Sequence, residues 1–133
     1  MSNKKVYKII LEGKDIVDIP SFYKQINAQL MQGEDWSLGE SLDAFNDLLY
    51  GGFGAAKDAD LLEIEWHDID ISRKHLGIET TKAYYQAKIQ HGKPYNTALF
   101  QEKLQALAQG RGPTYFDILI EIIQSHRDRV RLI

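Results

Sequence analysis

A chain of 133 residues with 44% apolar and 26% charged residues has enough material for one ordinary core and too little for two, so a single domain spanning 1–133 is expected. It has no cysteine, which excludes disulfides, thiolate chemistry and zinc–cysteine sites and fits a reducing cytoplasm; its apolar runs are too short for a membrane span, and Lys4, Lys5 and Lys8 precede neither an unbroken apolar stretch nor a cleavage site, so no secretory signal is expected. The net charge of −3 conceals a segregation: residues 34–70 hold eleven acids and one base, Lys57, a balance of −10 against +7 elsewhere, which repels nucleic acid from that side and steers a basic partner to it.

Residues 6–11 have the β-branched and aromatic content of a strand, and 12–15 the polarity of a turn. A helix is expected from Ser21, with Pro20 and Ser21 as start signals, Phe22, Ile26, Leu30 and Met31 as its apolar stripe, and Gly33 as its stop. Residues 33–38 read as a loop carrying Glu34, Asp35 and Trp36. The next stretch, 39–54, reads as a short helix with acid on its outside. Ser41 is its expected N-cap, since a hydroxyl there takes a free backbone N–H of the first turn. Leu42, Phe45, Leu48 and Leu49 recur at helical spacing, while Asp43 and Asp47, four apart, project side by side. Gly51 and Gly52 end the helix.

Residues 61–66 alternate as a second strand. Asp68 suits a helix start, Ile69, Ser72, Arg73 and Leu76 continue a brief helix, and Gly77 ends it. Within 78–112, residues 84–89 fit helix or strand, Gly92-Lys93-Pro94 breaks the pattern, and 97–108 reads as a helix with Leu99, Phe100, Leu104 and Leu107 inward. Residues 110–113 form a hinge. The clearest helix is 114–125, where Tyr115, Ile118, Leu119, Ile122 and Ile123 repeat with a period near 3.6 and Asp117 and Glu121 share the other face. Residues 130–133 make a third strand. Strands alternating with helices predict an α/β fold, a small parallel three-stranded sheet covered by helices with right-handed crossovers.

His67, Asp68, Asp70 and His75 do not make a convincing metal site, because the histidines are eight apart where a helical pair of ligands needs four. His91 and His126 are isolated and read as surface residues. Residues 51–57 lack the spacer and the Lys-Ser/Thr ending of a phosphate loop. Glu40, Asp43, Asp47 and Glu121 offer carboxylates to a hydrolase, but acids clustered on a helix surface lack the apolar enclosure that raises a catalytic carboxyl's pKa. Neither cofactor nor metal is expected, and the chain does not read as an enzyme. Among the aromatics, Trp66 at a strand end reads as core; Tyr50, Tyr84 and Tyr85 fit core or interface. Trp36 and Phe53, in loops flanking the acidic helix, read as contact anchors.

The order Gly39-Glu40-Ser41-Leu42-Asp43-Ala44-Phe45-Asn46-Asp47 resembles the partner-binding loop and second helix of the barstar family of ribonuclease inhibitors. Leu62-Glu63-Ile64-Glu65-Trp66 resembles that family's middle strand, and Lys4-Lys5-Val6 and Val130-Arg131-Leu132-Ile133 fall where its outer strands lie. The resemblance covers the chain except for an insertion at about 78–112. It implies a barstar-like fold and an immunity protein that occludes the basic active site of a ribonuclease toxin without chemistry. The residues it implies at the interface are Glu40, Asp43, Asn46, Asp47 and Glu121, with Asp43 and Asp47 as charged anchors, and Trp36 and Phe53 join them as the contact anchors read from the flanking loops. Asn46 stands where the family often has tryptophan and Ser37 where it often has tyrosine, which points to a toxin other than the family's usual one. The same acidic face also suits some other basic protein.

Overall fold

The structure is a computed structural model that describes residues 5–133; Lys4, placed above in the first strand, lies outside them. In chain order the elements are β1 (Val6–Glu12), a 3-10 turn, α1 (Ile19–Leu30), α2 (Leu42–Tyr50), β2 (Leu61–His67), α3 (Ile69–His75), α4 (Ile78–His91), α5 (Thr97–Ala108), α6 (Tyr115–Ser125) and β3 (Val130–Leu132). The three strands form one parallel sheet in the order β1-β2-β3, with Ile9 beside Ile64 and Ile64 beside Leu132. This is the expected α/β architecture.

The period-two alternation of β2 buries Leu62, Ile64 and Trp66 together with Ile9 and Leu11 of β1, and α1, α2 and α6 bring their buried residues to the same core. Phe22 of α1 joins the layers. Its ring stands edge-on to Phe45 of α2 at 5.3 Å and stacks on Trp66 at 5.8 Å, so sheet and helices share one aromatic centre. The opposite face is polar: Lys8 pairs with Glu65 at 3.0 Å, Arg131 with Glu63 at 3.8 Å, and His67 bridges Glu65 and Glu12. The free edge of β1 is capped by side chains at Ile10 and Glu12. Gln29 and Gln25, one turn apart on α1, each accept a backbone N–H and donate to a carbonyl, at Ile10 and Glu12 respectively; such pairing takes the C-terminal half of this edge from any other strand.

Several boundaries differ from expectation. The first helix starts at Ile19, capped by Asp18, whose carboxylate accepts from Ser21 N at 2.9 Å while the Ser21 hydroxyl accepts from Asp18 N. Ser21 thus sits at the third helical position as half of a capping box, and the helix ends at Met31, short of Gly33. Gly77 is the N-cap of α4 and the C-cap of α3 is Leu76. Residues 84–89 are helical, and α4 and α5 make a hairpin. Leu99, expected inward, is exposed. His126, expected on the surface, is buried.

Candidate protein-binding site

Helix α2 forms as its sequence dictates. The Ser41 hydroxyl accepts from Ala44 N at 3.2 Å, and Gly51 ends the helix in the left-handed conformation at φ +89°. Phe45, Leu48 and Leu49 are buried and Leu42 half-buried, which leaves Asp43 and Asp47 exposed on the far side. Two residues from the far end of the chain fasten it. The guanidinium of Arg129 donates to the carbonyls of Leu49, Ala56 and Ala59 at 3.2, 2.8 and 2.8 Å, satisfying the C-terminal end of the helix and the loop beyond. His126 Nε2 meets Asn46 Oδ1 at 2.7 Å. Asn46 therefore turns toward the body of the protein, whereas Asp43 and Asp47 point away from it.

The flanking loops are held as firmly. The Asn27 side chain brackets Leu38, accepting from its N–H at 2.7 Å and donating to its carbonyl at 3.2 Å. Glu34 accepts from Gly54 N, which ties the loop before α2 to the loop after it. Across that tie the rings of Trp36 and Phe53 meet with centroids 4.9 Å apart. Trp36 remains exposed, so the pair forms an aromatic shoulder beside the helix. The exposed face of α2 also includes Tyr50, 68% exposed, set edge-on against the His126 ring at 4.5 Å. Asp43, Asp47 and Tyr50 lie at i, i+4 and i+7, one stripe of the helix; the same spacing that singled out the two acids reaches this tyrosine.

The acidic segment separates into two populations. Glu63, Glu65 and Asp70 are ion-paired, with Arg131, Lys8 and Arg73 respectively, and Asp60 accepts from Lys5 N at 2.8 Å. Glu40, Asp43 and Asp47 have neither an ion pair nor a side-chain hydrogen bond among the described residues. Asp35, Asp58 and Asp68 likewise have no side-chain partner among the described residues, so what distinguishes α2 is that two unanswered charges share one helical stripe. Its field reaches the neighbouring tyrosines: burial chiefly holds the Tyr84 hydroxyl above its usual range, and Tyr85, Tyr95 and Asp43 add to the effect.

Two adjoining hollows border the N-terminal end of α2. One, of about 640 Å³, has Glu40 and Asp43 on one wall and Tyr84, Lys88, Tyr95 and Lys103 of the α4–α5 hairpin on the other. The second, of about 310 Å³, shares Leu42, Tyr85, Lys103 and Ile118 with the first and reaches Glu121. Glu121 is therefore carried by α6 to the neighbourhood of the acidic helix. Lys88, Tyr95 and Lys103 were not singled out from sequence, because nothing in 78–112 indicates that it folds back beside α2. Asp43 and Glu121 are both exposed and border different hollows, so the two carboxyls do not share one enclosure. Among the described residues no three His, Asp or Glu side chains gather where they could hold a metal ion, and no helix is long and apolar enough to cross a membrane.

Compared with protein-family models, with characterised proteins and with solved structures, the chain has no match.

Proposed function

We propose that this protein binds the basic active site of a ribonuclease toxin and blocks it, in the manner of the barstar family that residues 39–47 resemble, within the cytoplasm of the cell that makes the toxin. The observation that supports this most is unanswered charge on a well-fastened helix: Asp43 and Asp47 stand exposed, without partners among the described residues, on a helix whose other side is held by Phe45, Asn46 and Arg129. Two like charges a turn apart destabilise a free helix, and a basic cleft that holds RNA phosphates offers what they lack. Carboxylates placed this way stand in for the phosphates. Glu40 and Glu121 flank them, and Trp36 with Phe53 supplies an apolar contact at the opposite end.

Co-expression with a panel of basic ribonucleases, scored by rescue of growth, tests the reading. The wild-type protein is expected to rescue cells from at least one member, and Asp43→Ala/Asp47→Ala to rescue none. Association in stopped flow is expected to slow steeply as ionic strength rises. Rescue that survives the double substitution overturns the assignment of this helix.

A further inference from the structure

The segment 78–112, which the family resemblance leaves uncovered, carries five bases, Lys82, Lys88, Lys93, Lys103 and Arg111, against two acids, Glu79 and Glu102. It folds as the α4–α5 hairpin and places Lys88 and Lys103 across a hollow from Glu40 and Asp43 at the start of α2. The hairpin is rooted in the body of the protein: the Thr81 hydroxyl accepts from Tyr115 N and donates to Gly77 O, both at 2.7 Å, and Tyr85 and Leu107 are buried. We infer that the hairpin is a second, basic jaw of the binding site, and that the cleft between it and α2 takes a loop of the partner protein bearing a cationic and an anionic side chain on either side of an apolar one. The inference rests on the proposed reading only for the source of that loop.

The charges define the occupant. Glu40 and Asp43 line one wall and Lys88 and Lys103 the other, yet no ion pair crosses the gap among the described residues. The Lys88 ammonium is positioned by aromatic faces, 4.1 Å from the centre of the Tyr95 ring and 5.2 Å from that of Tyr84, which holds a cation at the wall without neutralising it. A purely cationic segment entering here meets Lys88 and Lys103, and a purely anionic one meets Glu40 and Asp43. A segment of both signs satisfies both walls. Tyr84, Tyr95 and Phe100 between them give the apolar residue a surface to cover, and Tyr95 and Leu99 are exposed until something does. The hairpin thereby selects among basic partners: the helix acids answer a basic centre, and the jaw admits only those with a carboxylate at that edge.

The test uses the full chain and three acetylated, amidated peptides, Arg-Phe-Gly-Glu, Arg-Phe-Gly-Gln and Gln-Phe-Gly-Glu, titrated in the millimolar range and followed by backbone amide shifts. The first peptide is expected to shift Asp43, Tyr84, Lys88 and Lys103, and each peptide lacking one charge to bind about threefold more weakly, the effect of one solvated ion pair. In Lys88→Glu/Lys103→Glu the preference for Glu over Gln is expected to reverse, and in Lys88→Met, which keeps the apolar stem, to diminish. Equal binding of all three peptides, no shifts, or shifts confined to the Trp36–Phe53 end overturns the inference. The two readings fail separately. Charge-selective peptide binding by a protein that rescues against no ribonuclease refutes the inhibitor and leaves the cleft; rescue without peptide selectivity refutes the cleft alone.

Discussion

The Nε2 atom of His126 lies 2.7 Å from Oδ1 of Asn46, an interaction across 80 residues that secures the inner side of the acidic helix. An amide oxygen only accepts, so Nε2 carries the proton and donates. His126 is 5% exposed, so removing its acceptor leaves a buried donor unanswered. Asn46→Ala is expected to lower stability by about 1–3 kcal/mol, seen as a lower urea midpoint at unchanged slope. A midpoint equal to wild type means that water replaces the amide without loss.

Gly51 and Gly52 are adjacent, and the structure gives them unequal work. At Gly51 the backbone is left-handed and a Cβ collides with the Arg129 guanidinium, whereas a Cβ at Gly52 meets nothing within 4 Å. Gly51→Ala combines backbone strain with displacement of three hydrogen bonds and is expected to cost at least about 2 kcal/mol. Gly52→Ala is expected to stay within about 0.5 kcal/mol of wild type. Thermal melts of the pair decide this, and equal losses refute the role given to Arg129.

Asp43 lies in the first turn behind the Ser41 cap, where the helix dipole offsets its repulsion from Asp47; Asp47 is a turn further in and has little such compensation. Asp47→Ala is expected to stabilise the free protein by about 0.3 kcal/mol and Asp43→Ala to leave it unchanged or weaker. Under the proposed function, Asp47→Ala is expected to weaken binding to a basic ribonuclease by about 2 kcal/mol or more in calorimetry, a size general to charged anchors, for which the barnase–barstar interface is the standard example. A free protein weakened by Asp47→Ala indicates a structural role for that carboxylate.

On the polar face of the sheet, hydrogen bonds from Lys8 first and His67 second hold the Glu65 carboxyl below its usual 4.5, and the bond to Glu65 holds the His67 imidazole above its usual 6.5. The glutamate's contribution is present above pH 4.5 and is lost as pH falls through its lowered value. The histidine's is present below pH 6.5 and is lost as pH rises through its raised value. The destabilisation caused by Glu65→Gln is therefore expected to be widest between those two values and to narrow on either side. Urea midpoints measured across pH test it; a gap of constant width shows that the pair is not coupled to folding.

Local signals were legible where local physics decides. Ser41, Gly51, the stripe Phe45–Leu48–Leu49 and the alternation of Leu62, Ile64 and Trp66 each follow from a cap, a turn or a period contained in a few residues. The start of α1 was misplaced by two residues because Asp18 and Ser21 cap it reciprocally, and either alone reads as a start. The helicity of residues 84–89 was hidden because α4 packs against both α5 and α6 and has no single apolar stripe. His126 reads as a surface residue until Asn46 is brought to it, and Leu99 as a core residue until the hairpin leaves it open. The cleft itself was invisible, since its two walls lie about forty residues apart in sequence and have no local signal in common.

The anchors of α2 come from far downstream of it in the sequence. β1, α1 and β2 are complete once His67 has been made. The carbonyls of Leu49, Ala56 and Ala59 wait for Arg129, and Asn46 waits for His126, contacts whose long loops make them slow to close. A chain that stops short of His126 and Arg129 therefore carries Asp43 and Asp47 on a segment without these ties. Under the proposed function, such a fragment is expected to bind the toxin more weakly than a chain that includes both residues.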